Sequence, residues 1–167
     1  MLVAPPWYPV PPEGYGGIEL VVALLARELG RRGHQVTVLG ASGSQIPGAV
    51  RLASDAYGPQ LGGPHERWFD LAYSHSVLEW LRDRGEGAVV HYHSGGAVLT
   101  ALDSLLWELP TLQTVHGPLG KGEVEFYSRV GTATRLVAVS RAQAALAPQV
   151  RWAGWVHNAV DLDALPS

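Results

Sequence analysis

Short apolar runs alternating with helical patterns predict an α/β domain with a doubly wound, mainly parallel sheet and helices on both faces. Two observations carry this. The runs at 2–4, 36–39, 88–92, 111–115, 136–139 and 152–156 are of strand length and rich in Val, Leu and Ala. The stretches between several of them carry apolar residues at helical spacing, and strands joined through helices pair in parallel by right-handed crossovers. No internal repeat, low-complexity tract or interior linker interrupts the pattern, so residues 1–167 read as a single domain.

The first run, Leu2-Val3-Ala4, leads into a proline-rich loop to Pro12 and then Gly14, Gly16 and Gly17. Ile18, Val21, Val22, Leu25 and Leu29 follow on one helical face, and Gly33-His34 signals its end. The second strand is expected at 36–39 and a short third at 50–53, within a Gly/Pro-rich stretch from 44 to 64 that reads as loop. A helix is expected over 68–82, then a strand over 88–92. Gly95-Gly96 opens another helix with Leu99, Leu102 and Leu106 on one side. Strands are expected at 111–115 and 136–139. Ser140 caps a short helix ending at Leu146, and 152–156 is the last strand.

Composition bounds the function. The chain has 167 residues, 47% hydrophobic and 16% charged, the make-up of a globular domain. A net charge of −3 gives no electrostatic case for nucleic acid. With no cysteine, disulfides and thiolate metal sites are excluded. The start, Met1 to Pro12, has no basic region and is broken by prolines, so it does not read as a signal peptide. A cytoplasmic location is expected, with peripheral contact at the inner membrane face still compatible.

Gly16 and Gly17 stand between the first strand and the first helix. Glycine lets a backbone approach a ligand closely, and amides at a helix start attract anions, so these are candidate phosphate-binding residues. The alternative is a tight turn into the helix. The loop departs from the dinucleotide fingerprint, because Glu19 stands where a third glycine would help and no acid ends the second strand. His116 follows the 111–115 run, at the carboxyl end of a parallel strand, where open α/β sheets bind ligands. Its alternative is to satisfy a loop carbonyl. His91 and His93 share a face of their strand. That spacing suits a metal only with a third ligand, which the sequence does not offer, and His93 and Ser94 reaching into a cleft is the favoured reading. His34 and His65 read as surface residues, and Trp107, Trp152 and Trp155 as core. No nucleophile elbow or P-loop occurs.

Several pieces together resemble the N-terminal domain of family-4 glycosyltransferases of GT-B architecture. They are Val3-Ala4-Pro5-Pro6, Gly16-Gly17-Ile18-Glu19, Leu29 through Val38, Val90-His91-Tyr92-His93-Ser94, Thr114-Val115-His116-Gly117, Val137-Ala138-Val139-Ser140 and His157-Asn158-Ala159-Val160-Asp161. The resemblance implies two Rossmann-like domains facing a cleft, this one on the acceptor side, with most of the nucleotide sugar held by a C-terminal domain. It implies transfer with retention of configuration and without metal or other cofactor. Gly16 and Gly17 would meet the donor diphosphate, and His116 the donor sugar at the reaction centre as the catalytic position. Tyr15, His93 and Ser94 would lie on the acceptor side, facing a sugar or lipid-linked acceptor, and residues 158–161 would lead into the interdomain linker. The family's C-terminal acidic pair, with seven residues between, is absent, and family members are about twice as long.

These expectations define a half-enzyme that transfers little or no sugar alone, its open cleft wall favouring self-association. The competing readings are a stand-alone sugar- or nucleotide-binding module without catalysis, and an epimerase using His116 on a nucleotide sugar.

Overall fold

The protein is seen in a computed structural model that describes residues 1–52, 55–95, 109–131 and 134–161. Among the described residues the strands are β1 (Leu2–Val3), β2 (Val38–Gly40), β3 (Ala49–Arg51), β4 (Val90–Tyr92), β5 (Thr111–Val115), β6 (Arg135–Ala138) and β7 (Trp152–Trp155). They form one parallel sheet in the order β3-β2-β1-β4-β5-β6-β7. The chain winds one way from β1 to β3, then returns to β4 and winds the other way. That reversal makes the β1/β4 boundary the topological switch point. The fold is the Rossmann-like α/β class that the alternation predicts.

The first strand is only two residues long, yet it is central. Leu2 pairs with Val38 on one side and His91 on the other. Leu2 and Val3 point to opposite faces and enter different cores. One core gathers Val3, Leu39, Val90 and Tyr92 under α2 (Glu66–Arg84), whose Tyr73, Val77 and Leu81 recur every fourth residue. Tyr73 Oη lies 2.9 Å from the carbonyls of both Ala4 and Leu39, so one hydroxyl proton ties the helix across β1 and β2. On the opposite face α1 (Gly17–Arg31) buries Val22 and Ala26 against Leu2, Ala4, Val10 and Val38. The α1 face read from sequence is slightly rotated here. Its most buried stripe is Glu19, Val22 and Ala26, while Val21 and Leu25 are only half-buried.

A third core joins Val115, Leu136, Ala147 and Val150 to Tyr127 of α3 (Lys121–Val130), a helix with no counterpart in the sequence reading. Gly122 and the charges at 121, 123 and 125 dilute its periodicity, leaving Val124 and Tyr127 as its main apolar pair. The last helix, α4 (Arg141–Leu146), starts as expected, with Ser140 Oγ accepting from Gln143 N at 3.0 Å.

Strand bounds shift by a residue or two from the apolar runs. The third strand begins at Ala49, and residue 53 lies outside the described residues, as do Trp107 and the helix expected after Gly95-Gly96. The 44–64 stretch also holds a single 3₁₀ turn, Gly58–Gln60. Trp155 corrects the core reading: it is 47% exposed on strand β7, which among the described residues has a partner on one side only. Trp152 is half-buried in the third core and donates its indole N–H to Ala147 O at 3.1 Å. His34 and His65 are exposed, as expected. Among the described residues no helix is long and apolar enough to cross a membrane.

Candidate functional site

The candidate residues collect at the carboxyl edge of the sheet. The loop after β1 delivers Tyr15, Gly16 and Gly17. His93 and Ser94 follow β4, and His116 follows β5. The glycine loop and β4 thus flank the switch point, with His116 one strand further on.

The two glycines differ. Gly16 has φ 146°, and a Cβ there would come 2.7 Å from Pro12 Cβ and 3.3 Å from a Glu19 carboxylate oxygen. The fold itself therefore requires glycine at Gly16. At Gly17, the first residue of α1, an added Cβ would meet nothing within 4 Å. Its lack of a side chain leaves room in front of the helix start, where first-turn amides point outward. Glu19 lies beneath this loop, 3% exposed, accepting from its own amide and that of Tyr8. Burial pushes its pKa up to about 7 against the pull of those amides. When ionised it opposes an anion at the loop; when protonated it does not.

His91, His93 and His116 form a stack. The His91 and His93 ring centroids are 4.1 Å apart, those of His93 and His116 5.2 Å. His93 Nδ1 lies 3.0 Å from His116 Nε2, and His91 Nε2 2.8 Å from Thr114 Oγ1. Burial holds the His91 and His116 pKa values down at about 4, that of His91 aided by His116 and the N-terminal ammonium. His93, 3% exposed, is held well below the usual range by burial and by its two histidine neighbours. All three rings are neutral at pH 7. His93 Nε2 and His116 Nδ1 are buried without partners among the described residues. Among the described residues no group of three or more His, Asp or Glu side chains could hold a metal ion, since His91 turns to Thr114 and His93 to His116.

The other two candidates stand apart from this stack. Ser94 is buried, its carbonyl accepting from Gln113 Nε2 at 3.3 Å. Tyr15 is 79% exposed and meets Tyr8 edge-on.

Gln143 is a residue the sequence reading missed. From the first turn of α4 its Nε2 donates to the carbonyls of Val115 and Gly117, at 3.1 and 3.0 Å, and its Oε1 accepts from Val139 N at 2.8 Å. One amide thereby clamps the chain on both sides of His116. The signal was present: Ser140-Arg141-Ala142-Gln143 has capping-box spacing.

Below the edge, the sheet face bearing His91, Leu112, Thr114 and Val137 is faced by α1 and by the segment 156–161, enclosing a groove of about 810 Å³. Arg27 pairs with Asp161 at 2.7 Å and ties that segment to α1.

The fold and site define a Rossmann-like domain whose polar groups converge at the carboxyl edge of a doubly wound sheet. The chain belongs to Glycosyltransferase Family 4, whose model matches residues 15–164. Among solved structures it is similar to AviGT4, a glycosyltransferase involved in avilamycin A biosynthesis, with 26% identity and a TM-score of 0.62 over 99% of this chain and 43% of that one. The chain thus spans less than half the length of that structure. No curated protein matches it.

Proposed function

We propose that this chain is the acceptor-side, N-terminal half of a GT-B glycosyltransferase that moves a sugar from a nucleotide-sugar donor to a sugar or lipid-linked acceptor with retention of configuration. A second, C-terminal domain would hold most of the donor. The observation that supports the reading is that the open Gly17 helix start and the neutral His116 ring follow strands at the same, carboxyl edge of one sheet, in a chain of this family.

Each part has a chemical task. Departure of a nucleoside diphosphate builds negative charge on its phosphates, which preorganised amides at the α1 start would stabilise. A neutral imidazole at His116 can hydrogen-bond a sugar hydroxyl without adding a full charge. Tyr15, His93 and Ser94 are assigned to the acceptor side, with His93 acting through His116. No metal or other cofactor is assigned. One wall of an open cleft does not exclude water from the departing diphosphate, so the 167-residue chain alone should turn over little nucleotide sugar.

The test is a titration of the ¹⁵N-labelled chain with inorganic pyrophosphate and with UDP-, GDP- and ADP-sugars. Pyrophosphate should move the Gly17 and Ile18 amides, and the matching nucleotide sugar should also move the His116 ring. No shift at either place with any of them would remove the site assignment. Steady turnover by the chain alone would remove the two-wall part of the reading.

A further inference from the structure

We propose that His93 is the positioning residue of this site, holding His116 in a single tautomer that presents an N–H donor at Nδ1 to the ligand. The use of that donor in sugar recognition rests on the function proposed above; the tautomer itself does not.

The geometry leaves few choices. A 3.0 Å contact between two neutral imidazoles needs one N–H and one bare nitrogen. If His93 Nδ1–H donates, His116 accepts at Nε2 and carries its own proton at Nδ1. If His116 Nε2–H donates, His93 carries its proton at Nε2. The pair is therefore locked with both rings protonated at Nδ1 or both at Nε2. Each arrangement strands one buried N–H and one buried bare nitrogen, at the two unpartnered atoms.

Burial chooses between them. His93 is 3% exposed, although it borders the groove beside His91, whereas His116, which follows β5, is half-buried. An orphaned buried N–H is the worse defect, so it belongs on the less buried of the two rings. That places protons on both Nδ1 atoms and leaves the buried His116 Nδ1–H unsatisfied by the described residues, a donor that an oxygen acceptor, a sugar hydroxyl or a phosphoryl oxygen, would complete. Stacking between His91 and His116 keeps the His93 ring plane in place, and the Gln143 clamp holds the backbone that carries His116. Neither ring can turn without breaking the pair.

The test is a long-range ¹H–¹⁵N correlation spectrum of histidine-labelled chain at pH 7.5, which reads each ring's tautomer directly. Both His93 and His116 should show the Nδ1–H pattern as single species. His93→Leu should release His116 into an averaged tautomer pattern. His93→Asn, which keeps an N–H donor near the place of imidazole Nδ1, should restore the single species. A His116 Nε2–H pattern or tautomer averaging in the unmodified chain would overturn the proposal. So would a His116 Nδ1–H pattern unchanged in His93→Leu. Should His93→Leu fail to fold, the unmodified chain and His93→Asn decide alone, with averaging in His93→Asn counting against it. If the tautomers are as stated but no nucleotide sugar or pyrophosphate moves His116, the proposed function falls and the positioning role stands.

Discussion

Gln143 Nε2 lies 3.0 Å from the Gly117 carbonyl while also donating to Val115 O, so a helix that follows β6 holds the loop that follows β5. The arrangement rests on a single side-chain amide. Gln143→Leu removes three bonds and leaves two carbonyls and the Val139 amide without this partner. The expected cost is about 1–3 kcal/mol, the usual penalty for stranded part-buried groups. Urea denaturation should show a lower midpoint with an unchanged slope. The His116 resonances should broaden more than those of Tyr127, which sits on α3. Equal broadening across both would mean that Gln143 supports the whole third core rather than the His116 loop.

Gly16 and Gly17 should separate stability from binding. Gly16→Ala meets both a positive φ and a 2.7 Å approach to Pro12 Cβ. It should cost at least ~1–2 kcal/mol from the backbone alone. Gly17→Ala enters open space at the start of a helix and should leave stability unchanged or raise it by ~0.5–1 kcal/mol. Pyrophosphate titration of Gly17→Ala should nevertheless show weaker shifts at Ile18. Unweakened binding would mean that the open space before α1 is not where the anion sits.

Much of this was legible in the sequence because parallel strands buried on both faces are written as short apolar runs. The 111–115 run became β5 without adjustment, and Ser140 capped its helix as read. The misses have physical causes. α3 carries Gly122 and three charges in its first turns, which hides a helix whose burial rests chiefly on Tyr127. Trp155 was assigned to the core by side-chain type, but only an edge strand's open flank decides its exposure, and edge position is not written in local sequence. Glu19 counted against a dinucleotide fingerprint; that its carboxyl turns inward under Gly16 depends on the path of the Pro5–Pro12 loop. The His93–His116 contact joins residues 23 positions apart and follows from β4 and β5 being neighbours.

Tyr73→Phe tests the tie between α2 and the centre of the sheet. It removes a fully buried hydroxyl and strips two carbonyls of a shared donor, with no change in ring packing. The expected destabilisation is about 1–2 kcal/mol. Tyr73→Leu should cost more, because it also opens a cavity in the core around Val3, Val77 and Leu81. If Tyr73→Phe were neutral by denaturation, the hydroxyl would be contributing only shape.

Acid should destabilise the protein through its histidines, with Glu19 opposing. His91 and His116 ordinarily titrate at 6.5 and are held at about 4 in the folded chain. Between those values the unfolded chain binds more protons, so stability present above pH 6.5 is lost as pH falls toward 4. His93 acts in the same direction. Glu19 has the opposite sign: its carboxyl moves from 4.5 unfolded to about 7 folded, so its cost appears as pH rises through that window. Asp70, raised by burial and by Glu66, has the same sign as Glu19, so three histidines stand against two carboxyls and leave a net loss toward acid. Glu19→Gln removes its share of the opposing contribution. At pH 8 it should stabilise the protein by about 1–3 kcal/mol, having removed the cost of an ionised carboxylate that is buried. Its stability should also fall more steeply than that of the unmodified protein between pH 6.5 and 4.5. The check is urea denaturation of both proteins across pH 4.5–8. Parallel curves would show that Glu19 is already ionised at no cost, held by the Tyr8 and Glu19 amides, and that the glycine loop carries a permanent negative charge beneath it.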